Sequence, residues 1–221
     1  VDFIVKSVDY ALNKYFGKSL ASENVHVLDP FTGTGTFITR TLYYLKQQMD
    51  EGKITYDDIL RKYMHELHAN EIVLLSYYIA AINIEAVFDE VNGPNRGYKP
   101  FDGIVLTDTF ESSEREDTLD DDMFGTNNKR LKEQQKKPIT AIISNPPYSI
   151  VNHDSNNSNV ITYKKLDDSI SSTYAKYSNT KNILSLHDSY IRAIRWASDR
   201  IGDKGIIGFI TNNGFIDSKS A

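Results

Sequence analysis

Apolar residues recur at helical spacing in DFIVKSVDYALNKYFG, where Val5, Val8, Leu12 and Phe16 share one face and Gly17 can end the helix. A short apolar run at residues 25–28 predicts a strand. TFITRTLYYLKQQM then repeats Ile38, Leu42, Leu45 and Met49, the pattern of an amphipathic helix. Residues 63–70 read as a second strand and 71–88 as a second helix. Third, fourth and fifth strands are expected at 103–110, 139–145 and 205–212. The helix before the last strand, DSYIRAIRWASDRIG, turns Tyr190, Ile194, Ala197 and Ile201 inward. Strands alternating with helices predict an α/β fold built on a doubly wound parallel sheet. The alternation breaks at two polar insertions, 111–138 and 150–182, and no internal repeat is present. Both insertions follow strand ends, where loops of such a sheet line the ligand crevice. Each therefore reads as a mobile rim or as a plain solvated loop.

Composition narrows the classes. The chain has 221 residues, 40% hydrophobic and 25% charged, which suits one well-cored domain. It lacks cysteine, so disulfide frameworks and thiolate metal sites are excluded. The longest apolar run, IVLLSYYIAAINIEAVF, is interrupted by Ser76, Asn83 and Glu85 and reads as a buried helix, not a membrane span. No signal peptide is visible, and a cytoplasmic location is the expectation. The net charge of −5 argues against a free-standing nucleic-acid binder. DNA contact would have to come from local patches (Lys129, Arg130, Lys132, Lys136 and Lys137, or Lys164–Lys165) or from another part of the protein. The chain opens VDFIV without Met and stops at DSKSA, which reads as a piece of something longer.

Four motifs carry chemistry. In LDPFTGTGTF a strand ends at Asp29, and Gly33 and Gly35 let the backbone pass close to a ligand. A dinucleotide fingerprint would need a glycine where Ile38 stands, and no Walker lysine follows. That turns the reading from NAD and ATP to a nucleoside-type ligand without a pyrophosphate; a tight turn with no ligand uses the same glycines. Glu71, after the second strand, can take both ribose hydroxyls or serve as a carboxylate at a helix N-terminus. In LTDTF, Asp108 can accept the exocyclic amine of an adenine with Phe110 packed on its ring, or can cap a helix. His65 and His68 in HELH do not match zinc spacing and read as ordinary strand residues, so no metal is expected.

The fourth motif is SNPPY. A planar amino nitrogen, such as that of adenine or an amide, delocalises its lone pair and is a poor nucleophile. The side-chain oxygen of Asn145 and the carbonyl of Pro146 can accept its two N–H groups and steer it toward tetrahedral geometry. Pro146 and Pro147 hold both acceptors rigidly, and Tyr148 offers a face for stacking. A strand-ending turn without function is the alternative.

In this order, DPFTGTGTF, Glu71, TDTF and NPPY resemble an S-adenosylmethionine-dependent N6-adenine DNA methyltransferase with the gamma order of motifs. YKKLDDSISSTYAKYS and DSYIRAIRWASDRIGDKGIIGFITNNGFID are similar to the methyltransferase region of type ISP single-chain restriction–modification enzymes. The resemblance implies a Rossmann-like class I methyltransferase fold, strand order 3-2-1-4-5, without the helix and edge hairpin that follow strand five in that family. It implies that 1–221 is the catalytic domain, a fragment of a larger protein. Asp29, Pro30, Phe31, Gly33 and Gly35 would surround the methionine part of S-adenosylmethionine, Glu71 its ribose, and Asp108, Thr109 and Phe110 its adenine. Asn145, Pro146, Pro147 and Tyr148 would hold the target base. The implied partners are double-stranded DNA with a flipped adenine and the target-recognition, helicase and nuclease domains of the parent protein, with no membrane. Two other functions fit the same residues: methylation of a glutamine amide or an RNA adenine, and a cofactor-binding module that catalyses nothing.

Overall fold

Val27 and Leu28 are both buried yet point to opposite sides of β1 (His26–Asp29), so this strand must be covered on two faces. The computed structural model describes residues 1–114, 125–148, 162–177 and 184–217. In it β1 lies at the centre of a five-stranded sheet of order β3-β2-β1-β4-β5. Its companions are β2 (Leu67–Glu71), β3 (Ile104–Leu106), β4 (Ile139–Ser144) and β5 (Ile206–Phe209). All four pairings are parallel, with Val27 opposite Leu67 and Ala141. This is the order that the family resemblance implied.

One face is covered by α1 (Asp2–Phe16), α2 (Thr36–Asp50) and α4 (Leu74–Asn92), which pack Val5, Leu12, Ile38, Leu42, Ile84 and Phe88 against Val27, Ala141 and Ile143. The other carries α7 (Lys164–Ile170) and α8 (Ser189–Ile201), with Leu166, Ile170, Trp196 and Ala197 against Leu28 and Ile142. Short helices α3 (Tyr56–Arg61), α5 (Thr109–Glu114), α6 (Gly125–Gln135) and α9 (Gly214–Asp217) complete the described chain.

Several expectations are corrected. The second strand starts at Leu67, because Lys62–Glu66 form a π-helical turn continuing α3. The turn is fixed from outside: Tyr63 stacks on Phe88 at 3.6 Å between ring centroids, and the buried Lys62 ammonium donates to the carbonyls of Ser22 and Val25 at 2.6 and 2.7 Å. His65 therefore lies outside the strand, whereas His68 lies in it, buried and stacked on His26 with a 3.0 Å ring-nitrogen contact. The third strand ends at Leu106, and TF of LTDTF begins α5. Phe16 is 37% exposed, and α8 buries Ile191, Arg192 and Trp196, while Ile194 is only half-buried.

The apolar run of α4 is buried on one side only. Ala80, Ile84, Val87 and Phe88 face the core, while Leu75, Tyr78, Ile79 and Ile82 face outward at helical spacing. Among the described residues no helix is long and apolar enough to cross a membrane. The insertion at 111–138 contains all of α6 and most of α5, and the insertion at 150–182 contains α7 and a π-helical turn, so neither is a plain loop where it is described. Residues 115–124, 149–161 and 178–183 lie outside the described residues.

Candidate functional site

The carboxyl ends of β1, β2, β3 and β4 open onto a crevice of about 290 Å³. Strand order reverses between β1 and β4, which is where a doubly wound sheet leaves room for a ligand. Phe31 and Gly33 line the crevice from the turn after β1, Glu71 from the end of β2, Asp108 and Phe110 from the start of α5, and Asn145 from the end of β4. Pro30, Thr109 and Pro147 complete the expected residues found on its wall.

The glycine turn is held by the chain's own groups. Gly33 sits at φ +57°, a conformation that costs a residue with a Cβ about 1 kcal/mol or more. Its N–H donates to Glu71 Oε2 at 2.7 Å, and Glu71 Oε1 accepts from the Val73 N–H at 2.7 Å, just ahead of α4. Glu71 thus bridges the turn after β1 and the N-terminus of α4, so its helix-end role is present in the geometry. Gly35, at φ +89°, does not reach the crevice. A Cβ there would lie 3.2 Å from the Ala80 carbonyl oxygen and 3.2 Å from Ile84 Cγ1, so this glycine serves the close packing of α2 on α4.

Asp29 also lies beneath the crevice and not on its wall. It is 1% exposed; Oδ1 accepts from Ser144 Oγ at 2.5 Å and from the Phe31 N–H at 3.3 Å, while Oδ2 has no partner. Burial pushes its carboxyl up to about 7, against the pull of the Ser144 hydrogen bond. Asp108 caps α5: its Oδ1 accepts from the N–H groups of Phe110 at 2.9 Å and Glu111 at 3.2 Å. Its Oδ2 accepts from the Tyr163 hydroxyl at 2.8 Å.

At the other end, Asn145 is exposed, Pro146 buried and Pro147 exposed. The Tyr148 hydroxyl lies 2.7 Å from the Ile210 carbonyl and 3.2 Å from Asn145 Oδ1. The shorter contact is the stronger claim on the Tyr148 proton, and the Asn145 amide oxygen, with two lone pairs, keeps at least one to accept with. Tyr148 and Pro146 flank the crevice without lining it.

Five wall residues were not expected from the sequence: Asn70, Ile72, Thr107, Tyr163 and Ser189. Asn70 and Ile72 adjoin Glu71, so a two-residue margin around each motif would have found them. Tyr163 carries no such signal. Two members of the basic cluster at 129–137 point elsewhere: Arg130 and Lys137 line a cavity with His68 and Gly103, at the amino edge of the sheet, opposite the crevice. Among the described residues no group of three or more potential ligands could hold a metal.

Fold and crevice together define a Rossmann-like protein of the class I methyltransferase architecture. Over its whole length the chain is similar to part of a Type ISP restriction–modification enzyme, LlaGI, solved as a nuclease-deletion mutant with a DNA substrate mimic. That match has 66% identity and a TM-score of 0.95 and covers 100% of this chain and 18% of that one. The ATP-dependent Type ISP enzyme LlaBIII, bound to DNA, matches 99% of this chain at 65% identity and TM-score 0.95, over 14% of its own length. DrdV, in a DNA complex, matches 99% at 39% identity and TM-score 0.85, over 20% of its length. The chain therefore spans a fifth or less of these solved relatives. No family model and no curated protein matches it.

Proposed function

We propose that this chain is the methyltransferase catalytic domain of a larger restriction–modification protein, transferring a methyl group from S-adenosylmethionine to the N6 amino group of adenine in DNA. One observation carries the reading: the glycine turn, two acidic positions and Asn145 open onto a single crevice. The 65–66% identity to two Type ISP restriction–modification enzymes supports it.

The lining fits an adenosyl group because it is rich in acceptors. Glu71 and Asp108 are carboxylates, and Asn70 Oδ1 is buried without a partner. A carboxylate has about four lone-pair sites, so Glu71, with two taken by backbone N–H groups, keeps two for the ribose hydroxyls. Phe110 would pack on the purine, with Thr109 behind it; Pro30, Phe31 and Gly33 would border the methionine end, and Asp29 and Gly35 would support it from below. When bound, the cofactor supplies an electrophilic methyl carbon on a sulfonium.

For the target, the free Asn145 oxygen and the Pro146 carbonyl accept the two N–H groups of the adenine and localise its lone pair on nitrogen. Pro147 stiffens the pair, and Tyr148 offers the stacking face. Extruding the base from double-stranded DNA costs a few kcal/mol, partly returned by stacking. The target-recognition, helicase and nuclease domains of the parent protein would supply the DNA grip that a chain of net charge −5 lacks.

The test is transfer of tritiated methyl from labelled cofactor by the full-length protein to duplex DNA, RNA or protein. N6-methyladenine in the DNA digest is the expected product. Label confined to RNA or protein, or no label at all, would overturn the reading.

A further inference from the structure

Tyr163 lies 55 residues beyond Asp108 in a stretch of lysine, aspartate and serine, yet its side chain is buried in the crevice wall. Its hydroxyl donates to Asp108 Oδ2 at 2.8 Å, and its ring meets Phe110 edge to face at 5.2 Å. Burial, then the Asp108 hydrogen bond, pushes the phenol well above the ordinary tyrosine range, so it remains a donor at every physiological pH.

The tyrosine is itself anchored. Its backbone N–H donates to Asp167 Oδ2 at 3.3 Å, and the Arg192 guanidinium lies 5.3 Å from its ring centroid. Arg192 grips Asp167 with two bonds of 2.8 and 2.9 Å, and His187 Nδ1 lies 3.2 Å from the same carboxylate. A bidentate, largely buried pair of this kind holds a fixed geometry. The ring therefore has little freedom, and neither does the hydroxyl it carries.

Lone-pair counting then constrains Asp108. Of its roughly four acceptor sites, two on Oδ1 are taken by the N-terminus of α5 and one on Oδ2 by Tyr163, which leaves one, on Oδ2. We infer that Tyr163 is a positioning residue that orients Asp108 so that the single remaining lone pair reads one N–H of the 6-amino group of the cofactor's purine. The inference rests on the cofactor reading above and adds to it a specificity element: the site selects a 6-aminopurine over a purine lacking that donor. A site built to pair a buried hydrogen-bonding group rejects the analogue that leaves it unpaired.

The test compares S-adenosylhomocysteine with its 6-deamino analogue by calorimetric titration of the full-length protein, unmodified and with Tyr163→Phe. The unmodified protein is expected to bind the amino form about tenfold more tightly, the worth of one hydrogen bond to a charged group. In Tyr163→Phe that preference should fall to about twofold or less, with affinity for the deamino form unchanged, which also reports that the variant is folded. A preference retained in the variant overturns the inference while leaving the cofactor reading intact. Equal loss of both forms overturns it too, because it marks Tyr163 as structural only. If the unmodified protein binds neither form, the cofactor reading falls first.

Discussion

The two ends of the crevice are made differently. At the end proposed to hold the cofactor, Asn70, Glu71, Thr109 and Phe110 are all buried, and each carboxylate is tied by the protein's own N–H or O–H groups. At the end proposed to take the target, Asn145 and Pro147 are exposed, Tyr148 is 49% exposed, and the Asn145 oxygen keeps a lone pair to accept with. The first end belongs to the core of the domain, so a small ligand meets a finished surface. The second is a stiff tripod on the strand end, suited to a substrate that brings its own bulk. Joining them is the Asp29–Ser144 bond, from the end of β1 to the end of β4.

Replacing Asn145 with Ala should separate the ends most sharply. Methyl transfer should fall about 10³-fold, in line with loss of one preorganised polar group, with the Kd for S-adenosylmethionine within about twofold. A parallel loss of cofactor affinity would mean the two ends are one unit. The seam comes next. Asp29 is pushed to about 7 when folded, against an ordinary carboxylate value near 4 when unfolded. Between these values the native state holds a proton that the unfolded chain has released, so stability declines as pH rises from about 4 to 7, by on the order of 4 kcal/mol. Asp29→Asn should remove that slope in denaturant midpoints measured across the window; equal slopes in both proteins would show that the carboxyl is relieved by water.

At the cofactor end, Glu71→Ala should raise the Kd for S-adenosylmethionine about 100-fold, with transfer at saturating cofactor within a few-fold. A collapse of saturated transfer would show that the Gly33 turn also positions the target. The smallest effect is expected from Gly35→Ala, about 2 kcal/mol of stability from left-handed strain and a Cβ crowded by the Ala80 carbonyl, with cofactor affinity nearly unchanged. Denaturant unfolding with parallel calorimetry would check it, and a loss confined to binding would return Gly35 to the ligand site.

The alternation of strands and helices and the motif positions were legible because doubly buried strands and amphipathic helices leave periodic signals, and because glycine, proline and acidic residues punctuate the strand ends; the spatial order of the strands came from the family resemblance alone. The start of β2 was not. Tyr63, His65 and Leu67 alternate like a strand, and partners distant in sequence, among them Phe88, the Lys99 carbonyl, the Asn24 N–H and the carbonyls of Ser22 and Val25, hold 62–66 in a π-helical turn. The same holds within the site. Asp29 and Gly35 read as crevice residues because their neighbours in sequence line it, yet Ser144 and Ala80 draw them below the wall. Tyr163 was invisible because its meaning comes from Asp108 and Arg192, and neither is near it in sequence.

The clamp between Glu71 and the Gly33 amide has a kinetic consequence. A turn already closed need not fold around its guest, so capture should be a single fast phase without a slow isomerisation, and the heat capacity change should match apolar contact alone, with no added share from ordering of the chain.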